Sequence, residues 1–340
     1  MGLLVISGSV LVDQFWPERR SDADTVQVNL IPGQKAIMFT SDGGTSKATS
    51  VFDSAELTSQ HGRKTIIKQP KNGGPRKITV RLQGIDAPEL HYQPQLEKMP
   101  KGVTHPFRQS LGETCAYALH AFVSNFGLKE IPCEVVTRVD KPNDVCDSFG
   151  RVVGNVVLLV GGSRIDINHW LIREGWALPG FYNSISKPEI LAILAGYQAA
   201  MQNNRGLFSK KIMSSLVVPF NANQVERHVS SFKPFSDNGR ANFPKFFRRQ
   251  AERYVRAVSG QAVAADLRGF IATKASDLAI PRDKFLKLTG KTVGKKPRPE
   301  FQQLATFLAG NHFPIGPELV YWENDSRLVQ AGTNTEIKAW

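Results

Sequence analysis

Five short stretches of strand-type alternation, three helical stretches threaded among them and a change of style near residue 213 predict an α+β protein. The expected architecture is a five-stranded OB-type β-barrel with three packed helices, followed by a mainly helical C-terminal region. The predicted organisation is a barrel unit over 1–212 with an insertion at about 41–76, a linker or docking segment over 213–243, and a basic, mainly helical accessory domain over 244–340.

Residues 3–12 read as the first strand. In the second, over 24–31, Thr25, Gln27 and Asn29 alternate with Val26, Val28 and Leu30. A polar stretch rich in Gly, Ser and Lys follows. Its turn signals Asp42-Gly43-Gly44 and Asn72-Gly73-Gly74 mark an excursion from the core. Ile78, Val80 and Leu82 alternate with Thr79, Arg81 and Gln83, so Arg81 is expected to point away from the apolar face. Phe107, Leu111, Cys115, Leu119, Phe122 and Val123 keep helical spacing as far as Gly127. Residues 131–139 and 151–160 read as the last two strands, the second ending in a Gly161-Gly162 turn. A short helix over 165–174 stops at Gly175. Ser186-Lys187-Pro188-Glu189 then has the form of a capping box and opens a helix closed by Gly206.

Hydrophobic residues make up 41% of the 340, enough to bury a core, and no apolar run is long enough to span a membrane. The mildly apolar start, residues 1–8, lacks a basic region and a cleavage site, so no signal peptide is expected; location stays open between cytoplasm and export. Cys115, Cys133 and Cys146 form no C-x-x-C pair, which argues against a zinc ribbon and a disulfide framework. The net charge of +13 suits a polyanionic partner such as DNA or RNA.

Cleaving a phosphodiester calls for a cation on the phosphoryl oxygen, carboxylates to hold it, a base for water and fixed positive charge for the transition state. The chain offers candidates in order. Ser21-Asp22-Ala23-Asp24-Thr25 supplies carboxylates at the second strand, and Arg81 a cation on the third. Asp86 and Glu89 lie in the corner after it, and Asp147-Ser148-Phe149-Gly150-Arg151 supplies a turn and a second arginine. Oxygen ligands point to calcium or magnesium.

These motifs, in this order, resemble the staphylococcal nuclease family. Its D-G-D-T resembles Asp22-Ala23-Asp24-Thr25, and its R-x-x-x-x-D-x-P-E resembles Arg81 through Asp86, Pro88 and Glu89. Its D-x-[YF]-G-R is similar to Asp147, Phe149, Gly150 and Arg151, and its N-x-x-L-[VI]-x-x-G-x-A to Asn168, Leu171, Ile172, Gly175 and Ala177. Gln198-Ala199-Ala200 and Arg205-Gly206-Leu207-Phe208 resemble the family's last helix, and the likeness covers roughly 5–212. The resemblance implies that Asp24, Asp86 and the backbone carbonyl of Ala87 bind Ca²⁺. It implies that Glu89 is the general base or positions water, and that Arg81 and Arg151 hold the scissile phosphate. The implied activity is endonucleolytic hydrolysis of DNA and RNA with little sequence preference, leaving 3′-phosphates.

The chain departs from the pattern at Ala23, where the family has glycine, and at Ser148, where it often has a basic residue. The insertion is the largest departure, since the family connects these strands by a short hairpin. Asp22 reads as a turn or supporting residue and Asp147 as structural, its side chain bonding its own turn. His91 and His169 have no partner readable in sequence and are assigned to a loop and a helix. Residues 220–340 carry 19 Lys/Arg against 11 Asp/Glu, so the basic bias is concentrated there. Helical spacing over 243–258 places Lys245, Arg249, Arg253 and Arg256 near one face, as candidate nucleic-acid contacts or a solvated face. Lys291, Lys295, Lys296 and Arg298 form a second basic cluster. Two other readings stand beside the nuclease: a non-catalytic OB-fold module that binds nucleic acid, and a nuclease toxin or effector delivered through its C-terminal region.

Overall fold

A computed structural model of the chain describes residues 2–15, 22–33, 36–49, 55–59, 62–70, 72–94, 96, 99–139, 145–147, 149–182, 185–211, 219–226, 239–241, 243–275, 277–287, 300–309, 319–323 and 327–330. Ser21, Ser148, the Lys291–Arg298 cluster and most of 213–243 lie outside the described residues.

Strand β1 (Gly2–Leu11) buries alternate side chains, among them Leu4, Ile6 and Val10. It pairs antiparallel with β2 (Thr25–Leu30) and, further along the same edge, with β3 (Ile37–Thr40), which β4 (Ser46–Ala48) extends. The insertion also holds a hairpin, β5 (Ala55–Ser59) with β6 (Gly62–Thr65). Strand β7 (Lys77–Leu82) returns to pair with β2, and the two-residue β8 (Ile85–Asp86) follows it round a corner. After helix α1 (Gly112–Ser124), β9 (Glu130–Val139) pairs with the other edge of β1. Strand β10 (Val152–Val160) pairs antiparallel with β9 and parallel with β7. The circuit β1-β2-β7-β10-β9-β1 closes a five-stranded barrel, which leaves these strands no open edge.

Strand β11 (Ser163–Asp166) forms a hairpin with β10, and Asp166 then caps helix α2 (Ile167–Arg173) by accepting the His169 N–H at 3.0 Å. Sequence spacing starts that helix at residue 165; pairing with β10 takes those residues into the sheet instead. Strand β12 (Leu178–Pro179) pairs with β8, and β13 (Phe181–Tyr182) follows. Helix α3 (Lys187–Gln202) opens on the expected capping box, with Glu189 accepting the Ser186 N–H at 3.0 Å.

The C-terminal region contains α4 (Pro244–Val258), α5 (Leu267–Ala272), β14 (Leu278–Pro281) and α6 (Arg282–Lys287), then β15 (Gln302–Gln303), β16 (Leu319–Glu323) and β17 (Arg327–Gln330). It is therefore helical with added strands. Strand β16 pairs with both β14 and β13, and β17 pairs with β5 of the insertion. Phe243, Phe246, Ile271 and Phe285 belong to the same buried cluster as the barrel residues Leu4, Val80 and Val156. No helix among the described residues is long and apolar enough to cross a membrane.

Candidate active site

Strand register brings distant residues together. Thr25 of β2 lies opposite Arg81 of β7, and Arg81 lies opposite Val153 of β10. Asp24, just before β2, and Arg151, just before β10, therefore flank the same end of β7. The Leu82 N–H donates to the Asp24 carbonyl at 2.8 Å and ties the end of β7 to the start of β2.

The corner after β7 depends on Gly84, which has φ of +77°. A side chain there would be strained and would also meet Ile193 of α3. The Asp147 turn is held as expected: Asp147 Oδ1 accepts the N–H groups of Phe149 at 2.9 Å and Arg151 at 3.0 Å. Its Oδ2 accepts Arg151 Nε at 2.6 Å, which aims the guanidinium at the site. Asn168 is fully buried; its amide donates to the Gln83 carbonyl at 3.0 Å and its oxygen accepts Val156 N–H at 3.1 Å. That pair of bonds joins α2 to the corner and to β10.

Asp24, Arg81, Asp86 and Glu89 are all buried and form one network. Arg81 pairs with Asp24 through Nη1 and with Asp86 Oδ1 through Nη2 at 2.6 Å. Asp24 Oδ2 also accepts the Ala87 N–H at 2.8 Å. Thr25 Oγ1 bridges outward, donating to Asp24 Oδ1 at 3.2 Å and accepting from Arg151 Nη1 at 3.2 Å. The strand alternation puts Arg81 off the apolar face, as read from sequence, yet the residue is only 4% exposed. Its guanidinium is enclosed by polar partners, Asp24 before β2 and Asp86 of the corner.

A residue that sequence reasoning missed completes the network. Arg248 of α4 donates from Nη1 to Glu89 Oε1 at 2.5 Å and to Asp86 Oδ1 at 3.1 Å, and from Nη2 to Asp86 Oδ2 at 2.7 Å. A signal existed. Arg248 lies three residues before Ala251 and seven before Val255, so it shares their buried face rather than the polar one.

Electrostatics separates the carboxylates. Burial alone would raise the Asp24 pKa, but the Arg81 guanidinium and the Ala87 N–H outweigh it and hold the carboxyl below 3.8. Glu89 moves the other way. Burial, with Asp22, Asp86 and Asp24 nearby, pushes it up to about 8 even though Arg248 pulls it down. Asp22 is also raised by burial; it accepts the Leu90 N–H at 2.7 Å and faces His91 at 3.9 Å.

The other basic candidates make contacts within the C-terminal region. Arg249 bonds Asp277 at 2.6 and 2.7 Å, Lys245 approaches the same carboxylate at 3.7 Å, and Arg256 bonds Glu252 at 3.0 Å. Arg253 donates to the carbonyls of Ala264 at 2.9 Å and Ala265 at 2.5 Å. Val258, expected on an apolar face, is 48% exposed.

Residues 79–210 match the family model described as staphylococcal nuclease homologue. This segment forms a staphylococcal nuclease-like domain. The match holds Arg81, Asp86, Ala87, Glu89 and Arg151 but begins after Asp24. Register adds β1, β2 and Asp24 to the nuclease-like barrel. No curated protein matches the chain.

Proposed function

We propose that this protein is a calcium-dependent endonuclease that hydrolyses DNA or RNA with low sequence specificity and leaves 3′-phosphates. The reading is carried by one observation: two arginines and three carboxylates, drawn from three separate stretches of sequence, converge at one end of a nuclease-like barrel. The donor chemistry suits calcium, which takes hard oxygen ligands. Asp24, Asp86 and the Ala87 carbonyl would hold it, with water and substrate oxygens completing the shell. No group of three or more His, Cys, Asp or Glu side chains arranged for a metal occurs among the described residues. Bound there, calcium would withdraw charge from the phosphoryl oxygen.

The chain's own groups would do the rest. In its ionised form Glu89 would orient a water and take its proton as the water oxygen bonds to phosphorus; the P–O5′ bond breaks and the 5′-oxygen leaves as a hydroxyl with a proton from solvent. Arg81 and Arg151 bind the phosphoryl oxygens, where negative charge grows in the transition state. The Asp147 turn keeps Arg151 in place for this task. We assign the nuclease unit to 1–212, a linker or docking segment to 213–243 and an accessory domain to 244–340.

The binding-only reading has one observation in its favour, the guanidinium groups of Arg81 and Arg248 on the carboxylates. Degradation of single- and double-stranded nucleic acid with Ca²⁺, with EGTA, and by Glu89→Gln and Arg151→Ala separates the two readings. Turnover that needs Ca²⁺ and fails in both variants is expected. Binding without turnover by the unaltered protein would establish the rival.

A further inference from the structure

Asp86, assigned to calcium, and Glu89, the proposed base, already hold a cation from the far end of the chain. Both Asp86 oxygens and one Glu89 oxygen accept hydrogen bonds from Arg248, which lies 159 residues beyond Glu89. These are charge-assisted contacts with the fork geometry that makes arginine pairs strong.

The position of Arg248 is built from two sides. On one side Phe247, Ala251 and Val255 form an apolar cluster with Phe107, packed by Tyr92 and Phe220. Tyr92 and Phe107 also exchange backbone hydrogen bonds at 2.8 Å, so the loop leaving Glu89 is part of the seat of α4. On the other side Arg249 bonds the buried Asp277 through two nitrogens. The helix that delivers Arg248 is thus fastened to the segment that delivers Glu89.

A calcium ion needs carboxylate oxygens at about 2.3–2.6 Å. Arg248, bonded to both Asp86 oxygens, competes with it there by space and by charge, beside the Arg81 guanidinium that also bonds Asp86 Oδ1. We propose that Arg248 is a built-in competitor for the cation site: its guanidinium occupies Asp86 and Glu89 until calcium displaces it, so the C-terminal region sets the calcium concentration at which the site loads. The proposal rests on the calcium reading of this site. It follows that the apparent affinity for calcium is the intrinsic affinity reduced by the fraction of molecules in which Arg248 has withdrawn.

The test is calorimetric titration of the full-length chain with calcium, using the unaltered protein, Arg248→Gln, Arg248→Lys and Arg268→Gln. Arg268 is an exposed residue of α5 and controls for loss of one positive charge. Arg248→Gln is expected to bind calcium about ten-fold more tightly than the unaltered protein. Arg248→Lys is expected to lie between them, and Arg268→Gln to change affinity less than about two-fold. In EGTA, Arg248→Gln is expected to melt at a lower temperature, with the deficit recovered in saturating calcium. Equal or weaker calcium binding by a folded Arg248→Gln overturns the proposal, as does equal tightening in Arg268→Gln. Where circular dichroism shows Arg248→Gln unfolded, equal affinity of Arg248→Lys and the unaltered protein overturns it. Equal calcium binding by all four proteins removes only the competitor role, whereas no binding by any of them removes the calcium reading with it.

Discussion

Two networks of arginine and carboxylate lie on either side of α4, and they differ in how the charges balance. On the C-terminal side Glu252 accepts from Lys274 at 2.6 Å, from Arg256 at 3.0 Å and from Arg249 at 3.1 Å. Burial opposes its charge, yet these cations outweigh burial and keep its pKa below 4.5. On the barrel side Glu89 pairs with Arg248 and neighbours three aspartates, and burial pushes it up to about 8. The same residue types therefore give a satisfied scaffold in one place and an unmet demand for positive charge in the other. A surplus of buried carboxylates is costly for folding alone, and the cation proposed for this side would offset it.

The widest separation between the networks is expected in catalysis. Glu89→Gln should lower the rate of nucleic-acid hydrolysis by about 10²–10⁴-fold with the fold intact, the scale of losing a general base. A comparable loss in Glu252→Gln, measured in the same assay, would break the contrast.

Stability should show the reverse. Asp277 is 1% exposed and holds Arg249, so Asp277→Ala leaves a half-buried guanidinium without its main partner. Partial exposure of Arg249 softens the cost, and a loss of about 2–3 kcal/mol is expected in denaturant unfolding. A loss below about 0.5 kcal/mol would show that this pair does not fasten α4.

The next effect is pH dependence in the calcium-free protein. The folded-state pKa of Glu89, about 8, lies above its ordinary 4.5. The unfolded chain therefore releases this proton first, and stability falls as pH rises from about 4.5 to about 8. Melting curves across that window should decline less steeply for Glu89→Gln than for the unaltered protein. Parallel slopes would mean that Glu89 is not the group under strain. The smallest effect belongs to an exposed pair outside both networks. Arg164 bonds Glu134 at 2.7 Å while 57% exposed, so Arg164→Ala should change stability by less than about 1 kcal/mol.

Local features were legible in the sequence because local chemistry makes them. The Asp147 turn, the capping box at Ser186 and the corner at Gly84 each close within a few residues. The barrel strands followed from alternation, since one face of each is buried. Features that need a distant partner were not legible. Helical spacing runs back to Phe107, but the helix starts at Gly112, because Phe107 exchanges backbone hydrogen bonds with Tyr92 and bridges to Val225. Strand β11 needed β10, and β13 needed β16 from the end of the chain.

The same division runs through the candidate site. By itself the sequence determined the corner that carries Asp86 and Glu89, the turn that carries Arg151 and the family to which residues 79–210 answer. It did so because short-range hydrogen bonds and side-chain periodicity are written in adjacent residues. Only the tertiary structure decided that Asp24 meets Arg81 across 57 positions and that Arg248 stands on Asp86 and Glu89. Periodicity places an arginine on the buried face of a helix, but what that face meets is settled by long-range packing: here the apolar cluster around Phe247 turns Arg248 toward the carboxylates.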